Sequence, residues 1–355
     1  MARSFVSVLI DTYNHEKFIE QAIVSVLQQD FPEAEREVIV VDDGSTDRTP
    51  EIVRKFEPRV RLLRKPNGGQ ASAFNTAIPE CQGEIVAFLD GDDWWARGKL
   101  KAVTAALEGE TLAGLVGHGI TEVFSDGREN AQLLRDGSRF RINSEAGART
   151  FRLRKSFLGT SRMTIRASVL RDIGQVPKGL AIQADEYLFT LAAFLSDAVI
   201  LRESFAFYRL HGSNAFQISD GSKISLRRKQ TVLELLAKTL SAELERRNAE
   251  KRATRVVLDA LESESELIRL SLDAGWPWET VHTEWRNYRI MHPDAALLHR
   301  IFKCVGLLPA LLMPSRAYYS WRQSFSQNRV YRRVREKWLP FLHHSHIERS
   351  WTTKL

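Results

Sequence analysis

Cysteine is almost missing from this chain. Only Cys81 and Cys304 occur in 355 residues, which excludes a disulfide framework, and neither stands in a paired zinc-binding spacing. The expectation is a reducing, cytoplasmic setting. Long apolar runs are missing too: no stretch reaches the roughly 18 consecutive apolar residues that span a bilayer. Arg3 leads straight into Phe5-Val6-Ser7-Val8-Leu9-Ile10, with no charged leader, apolar region and small-residue cleavage site, so no signal peptide is expected. No nucleic-acid recognition motif accompanies the basic residues, which argues against a nucleic-acid partner.

What remains is ordinary globular material, 43% hydrophobic and 27% charged. The length allows one large domain with an appendage, or two domains. The net charge of +7 and the pI near 9.4 owe much to an arginine-rich C-terminal part. A basic surface suits a nucleotide or an acidic membrane, although a merely soluble basic protein has the same total.

The stretch Ile85-Val86-Ala87-Phe88-Leu89-Asp90-Gly91-Asp92-Asp93 organises the rest. Its apolar run reads as a buried strand of a parallel sheet. The acids then stand at the strand's C-terminal end, where open α/β sheets hold ligands. Crowded carboxylates repel unless something positive lies between them. A hard divalent cation bound by oxygens and substrate phosphates is the natural occupant. Taken alone, such a D-x-D turn is more often a solvated acidic loop.

Its surroundings raise the functional reading. Val6 to Ile10 is a strand ending in Asp11-Thr12-Tyr13-Asn14-His15, with Asn14 as a weak cap for the helix bearing Phe18, Ala22, Val26 and Leu27. Val38 to Val41 ends in Asp42-Asp43-Gly44-Ser45-Thr46-Asp47, where Asp47 or Ser45 can cap the next helix. Val60 to Leu63 leads to Asn67-Gly68-Gly69 and a helix over 71–78. The alternation argues for a parallel sheet with helices on both faces. Polar clusters at the ends of successive strands build one crevice.

Further on, a helix is expected over 99–107, a strand over 115–120 and a hairpin turn at Ser125-Asp126-Gly127. Asp185-Glu186 opens an apolar helix to Phe194; acids there also suit the helix dipole without any chemistry. Ala198 to Leu201 is a strand. Ile224 to Leu272 reads as one long helical stretch whose Leu233, Leu236, Leu240 and Leu244 repeat at helical spacing. The run from Ile301 to Pro314, bordered by Arg, Tyr and Trp, suits either a membrane interface or a helical cap buried against the first domain.

These pieces resemble the family 2 glycosyltransferases. The matching segments are Ser7-Val8-Leu9-Ile10 with Thr12-Tyr13-Asn14, Val41 to Asp47, Asn67-Gly68-Gly69, Phe88 to Asp93, Asp185-Glu186, and Tyr208-Arg209-x-His211-x-x-Asn214. They cover roughly residues 4 to 215. The resemblance implies a GT-A fold, a Rossmann-like α/β sandwich, over 1–215, followed by a mostly helical basic extension over 216–355. It implies a nucleotide-sugar donor and a divalent Mn or Mg cofactor.

Roles follow position by position as the resemblance implies them. Thr12, Tyr13, Asp43, Asn67 and Asp90 would bind the nucleotide, with Tyr13 against the base and Asp90 on ribose or metal. Asp43 would accept an N–H from the base edge, which favours uracil, thymine or guanine because a carboxylate only accepts. Asp92 and His211 would hold the metal. Asp185 would be the catalytic base, with Glu186 as the fallback. Many members carry Arg before the Asn that corresponds to Asn75; here Phe74 stands there, leaving the diphosphate to the metal, His211 and Arg209.

One carboxylate base with no covalent nucleophile is the inverting arrangement. A UDP-sugar donor, a saccharide or lipid-linked acceptor and surface-polysaccharide or glycolipid assembly are the implied setting. The cytoplasmic face of the membrane is the implied location, with peripheral contact through 300–335. The competing classes are a nucleotidyltransferase, which would need a basic Gly-rich loop where Asp11 to Asn14 stands, and a non-catalytic nucleotide-sugar binder or membrane scaffold, which would tolerate loss of Asp185.

Overall fold

The computed structural model describes residues 4–211, 223–272, 275–291, 295, 297–327 and 347–352. The chain begins with β1 (Val6–Thr12), α1 (Ile19–Leu27), β2 (Arg36–Asp42), α2 (Thr49–Arg54), β3 (Arg61–Arg64), α3 (Gln70–Ala77) and β4 (Ile85–Asp90). β1 lies between β2 and β4 and is parallel to both, and β3 extends β2 in parallel. This is the alternation that the sequence leads one to expect.

Side chains of a strand point alternately to opposite faces, and the core divides on that parity. Val8, Ile10, Val38, Val40, Ile85, Ala87 and Leu89 pack with α1 and with Leu100, Val103 and Leu107 of α4 (Lys99–Gly109). Leu9, Ile39, Val41, Val86 and Phe88 pack on the other face with Ala71, Phe74 and Ala77 of α3. Strands buried on both faces need no polar alternation, which is why they read as unbroken apolar runs.

Beyond β4 come β5 (Trp94–Trp95), β6 (Ala113–Val123), β7 (Glu129–Leu134), β8 (Ser138–Phe140), α5 (Glu145–Arg154), β9 (Thr164–Arg166), α6 (Ala167–Ile173), α7 (Ala184–Leu195) and β10 (Asp197–Arg209). β9 inserts antiparallel between β4 and β6. β6 and β7 form the expected hairpin, with Gly127 at φ +81°. β10 is longer than the strand expected at 198–201. It runs parallel to β6 with register shifts, and its far end turns to pair with β5. Such irregularities bend a strand, and here the bend returns Arg209 to the acidic edge.

The expected single helix over 224–272 is two, α8 (Lys223–Arg246) and α9 (Lys251–Leu272). Asn248 takes φ +56°. The Ala249 N–H donates to the Leu244 carbonyl at 2.9 Å, and the Asn248 N–H to the Glu245 carbonyl at 3.0 Å. This paired closure of a helix end suits an asparagine, which tolerates the left-handed conformation. Leu233, Leu236, Leu240 and Leu244 are buried in the same cluster as α5 and α7 residues.

The chain continues with α10 (Pro277–Met291), α11 (Leu297–Leu311), α12 (Ser315–Gln327) and β11 (Ile347–Thr352), which pairs antiparallel with β7. Leu307 and Ala310 of α11 pack with Tyr318. Ile301, Val305, Leu308 and Leu312 are instead 51%, 56%, 54% and 86% exposed, so the apolar run is not buried as a cap. No helix among the described residues is long and apolar enough to cross a membrane.

Two local expectations about helix starts come out differently. Asn14 does not cap α1: it sits at φ +56° and its side chain accepts the Thr46 N–H at 2.8 Å. Asp47 accepts the Thr49 N–H at 3.0 Å, so it does serve the start of α2.

Candidate active site

The parallel register sets Asp11 beside Asp90 and Thr12 beside Asp42 at one edge of the sheet. The turn after β4 crosses close over β1. A Cβ on Gly91 would lie 2.6 Å from Thr12 Oγ1, so glycine is what lets Asp92 and Asp93 fold back over the strand ends.

Two neighbouring residues tie this acidic edge to α7. The Ser161 hydroxyl lies 2.6 Å from Asp93 Oδ2 and 3.3 Å from Asp90 Oδ2. Thr160 donates its N–H and its hydroxyl to Asp185 Oδ2 at 3.1 and 3.2 Å. On the opposite side, Asp92 Oδ2 lies 3.0 Å from His211 Nε2 and 3.8 Å from His15 Nε2. Beneath, buried Lys99 donates to the Ser161 carbonyl at 2.8 Å and sits 3.6 Å over the Trp95 ring.

The electrostatics follow from crowding. Burial, then the Asp92 charge, with Asp185 and Asp43 adding to it, pushes Asp11 up to about 8. Its Oδ1 is buried without a hydrogen-bond partner. Burial and the charge of Asp11 raise Asp90 well above the usual carboxylate range. Burial and Asp92 do the same to Asp93. For Asp92, burial pushes upward, but the His211 hydrogen bond and the His15 and His211 charges outweigh it, so its carboxyl lies below its ordinary value. Burial raises Asp185 despite the Thr160 and Glu186 hydrogen bonds. Burial also lowers Lys99 well below its ordinary value. Carboxylates packed this way hold protons until positive charge arrives.

The residues singled out in the sequence stand as follows. Tyr13 is 44% exposed beside the acids. Thr12 Oγ1 lies 3.2 Å from His15 Nδ1. Asp43 is buried, and its oxygens accept the Gly68 N–H at 3.0 Å and the Gly69 N–H at 2.7 Å, with Lys65 Nζ also bound. Asn67 is exposed on that same loop. Gly69 adopts φ +79°, and a Cβ there would lie 2.6 Å from Ala181 Cα. Glu186, the fallback base, is engaged elsewhere by Lys155 and Gln183. Asn214 and the boundary near 215 lie outside the described residues.

Phe74 explains its own departure from the family pattern. It is fully buried and packs edge-on to Phe88, with ring centroids 5.3 Å apart. A cation at that position would have no water. Asn75 turns instead to the Val176 backbone, donating to its carbonyl at 2.7 Å and accepting its N–H at 2.8 Å. The cation missed by sequence reasoning is Arg162. Burial lowers its pKa, while the charges of Asp185, Asp93 and Asp90 work against that, and its Nε has no hydrogen-bond partner. Asp11 was missed as well: it reads as the last residue of a strand.

Among the described residues, no three His, Cys, Asp or Glu side chains form a ready-made metal cage. The donor set still fits a hard cation, which commonly takes one or two carboxylates and completes its shell with substrate phosphates. Asp92 and His211 already share a point, and the unpartnered Asp11 oxygen lies in the same acidic group.

Comparison with known proteins agrees with this geometry. Residues 7–174 match the model for glycosyl transferase family 2. An uncharacterized glycosyltransferase of Nostoc sp. is 29% identical over 214 residues, covering 59% of this chain and 66% of that protein. Poly(ribitol-phosphate) beta-N-acetylglucosaminyltransferase TarS of Staphylococcus aureus is 41% identical over 106 residues, covering 29% of this chain and 18% of TarS. The chain thus spans less than two thirds of the length of these relatives. The crystal structure of S. aureus TarS 1-349 with UDP-GlcNAc superposes with a TM-score of 0.57 at 21% identity, covering 90% of this chain and 92% of that one. The mannosyltransferase PcManGT from Pyrobaculum calidifontis, in complex with GDP-Man and Mn2+, gives 0.54 at 19% identity, covering 94% and 84%. Strand ends that gather acids into one crevice and these shared folds lead to one conclusion: the α/β domain of this chain has the GT-A fold, and its residues 7–174 match the model for glycosyl transferase family 2.

Proposed function

We propose that this chain transfers a sugar from a nucleotide-diphosphate donor, a UDP-sugar foremost, to a hydroxyl of a saccharide or lipid-linked acceptor, inverting the anomeric carbon. The observation that carries this is the bridge made by Thr160 and Ser161. Thr160 binds Asp185 Oδ2, while the Ser161 hydroxyl lies 2.6 Å from Asp93 Oδ2 and 3.3 Å from Asp90 Oδ2, which supports a base and metal-side acids that serve one reaction. The structures of TarS with UDP and UDP-GlcNAc and of PcManGT with GDP-Man support a nucleotide-sugar donor.

In this reading Tyr13 stacks on the base, beside Thr12 and the Asn67 loop, and Asp43 receives a base N–H. Asp90 faces the ribose. Arg162 orients the diphosphate. Asp92 and His211 would hold a divalent cation, Mn2+ or Mg2+, which would supply positive charge to the departing diphosphate. Asp185 takes the proton from the acceptor hydroxyl as that oxygen attacks. Its raised pKa makes it a stronger base than an ordinary carboxylate, and the Thr160 hydrogen bonds fix its orientation.

Residues 1–215 make the transferase domain in this reading, and 216–355 the helical extension. The exposed apolar side of α11 supports peripheral contact of the 300–335 segment with the cytoplasmic face of a membrane. The poly(ribitol-phosphate) named for TarS supports a role in surface-polymer assembly.

The test is Asp185→Asn. Transfer is expected to fall by roughly 10² to 10⁴, with UDP affinity within about twofold of wild type. NMR of the wild-type product from an α-linked donor is expected to show a β-glycoside, and the rate to fall as pH drops through the raised Asp185 pKa. An active Asp185→Asn enzyme, or a product of retained configuration, refutes the assignment.

A further inference from the structure

A cavity of about 900 Å³ opens where α5 meets the C-terminal helices. Seven arginines line it: Arg149 and Arg152 from α5, Arg252 and Arg255 from α9, Arg286 and Arg289 from α10, and Arg300 from α11. Two carboxylates, Glu145 and Asp259, stand among them. Both are already engaged. Glu145 pairs with Arg149 at 2.7 Å, and Asp259 with Arg255 at 2.8 Å and Arg286 at 2.7 Å. Arg252 and Arg289 have no ion-pair partner among the described residues. None of these side chains belongs to the acidic crevice.

Gathering so many guanidinium groups in one concave wall raises a strong positive field. Arg152 is only 7% exposed. Burial lowers its pKa to about 10, Asp259 opposes that and Arg149 adds to it, so Arg152 stays charged near neutral pH. A guanidinium presents a rigid fork to carboxylate and phosphate oxygens. The wall also contains Trp285 and His282. An indole beside arginine forks is the combination that meets both the C–H face of a sugar ring and its acidic substituents. The volume lies within the range of ligand pockets. A flat lipid surface would touch only the rim of a concavity, whereas a flexible chain can enter it.

We propose that this cleft binds a segment of a polyanionic glycan, a saccharide chain bearing carboxylate or phosphate groups. Identifying that chain with the acceptor rests on the transferase reading above; binding in the cleft does not. The arginines grip repeated acidic groups while Trp285 packs on a ring between them. The cleft then holds a growing or preformed polymer at a distance from the bond being made.

The experiment is a calorimetric titration of the full-length chain at low salt with a heparin-derived hexasaccharide as the polyanionic probe. Neutral maltohexaose and phosphatidylglycerol vesicles are the comparison ligands. The hexasaccharide is expected to bind and to quench Trp fluorescence, and maltohexaose is not expected to bind. The double variant Arg252→Ala/Arg289→Ala, whose exposed side chains make no ion pair among the described residues, is expected to weaken hexasaccharide binding by about tenfold to a hundredfold. Lys101→Ala, on α4, is expected to leave it unchanged. Equal binding by the double variant, equal binding of maltohexaose, or a variant-sensitive affinity seen for vesicles alone overturns the proposal. UDP titration runs in parallel. Hexasaccharide binding without UDP binding refutes the transferase reading and leaves the cleft standing.

Discussion

Replacing Asp11 with asparagine removes a carboxyl that the fold holds under electrostatic strain. In the folded, metal-free protein its pKa rises from 3.8 to about 8, through burial first and the Asp92 charge second. A folded-state pKa above the unfolded value means that the ionised form is disfavoured by folding. The associated stability is present in full below pH 3.8 and is lost as pH rises towards 8. Each pH unit in that window costs about 1.4 kcal/mol. The penalty therefore reaches about 4 kcal/mol at pH 7 and about 6 kcal/mol above pH 8. Asp11→Asn keeps the shape and removes the titration. Urea unfolding followed by circular dichroism, in the presence of EDTA, is expected to show similar stability for the two proteins at pH 4 and a more stable variant at pH 7.5. Parallel pH profiles for wild type and variant would refute the idea that the crevice is a site short of positive charge.

Other residues give sharper tests of position. Glu186→Gln is expected to cost about 2 kcal/mol of stability by stranding Lys155, yet to keep transfer within a few fold of wild type; loss of transfer with normal stability would move the base to Glu186. Gly69→Ala forces a side chain onto a glycine-only conformation against Ala181 and is expected to destabilise by about 2 kcal/mol or more, as read from the thermal midpoint. Arg162→Met is expected to weaken UDP binding by about tenfold to a hundredfold. It should also shift the acidic limb of the transfer rate to higher pH, because Asp185 loses a neighbouring cation that favours its ionised form.

The scaffold was legible in the sequence because neither an amphipathic helix nor a solvated loop produces an unbroken apolar run that ends in acids. Asp90, Asp92 and Asp43 could be placed at strand ends from that pattern alone. Asp11 could not be told from its neighbours, since its importance comes from lateral register with Asp90 rather than from any motif. Thr160, Ser161 and Arg162 occupy one short turn after Gly159, without periodicity, and a lone glycine marks a turn but not what the turn bridges, so nothing singled them out as the link between β4 and α7. The long helix broke at Asn248 because one left-handed asparagine can close a helix without proline or glycine. A residue pattern spaced at helical intervals on both sides of that break looks continuous. The arginines of the cleft come from four helices and meet only when those helices pack.

α7 carries Asp185 at its first turn and is buried around nearly its whole circumference. Part of that cover comes from α8, and the same apolar cluster extends to Leu272 of α9. During synthesis, a nascent chain that has left the ribosome only as far as His211 already contains every acid of the crevice. It still lacks the leucines that seat the helix bearing one of them. α8 and α9 are thus made after the acid whose helix they cover, and a product truncated before α8 would be expected to emerge with its acids in place in the sequence and an oily flank open to other chains.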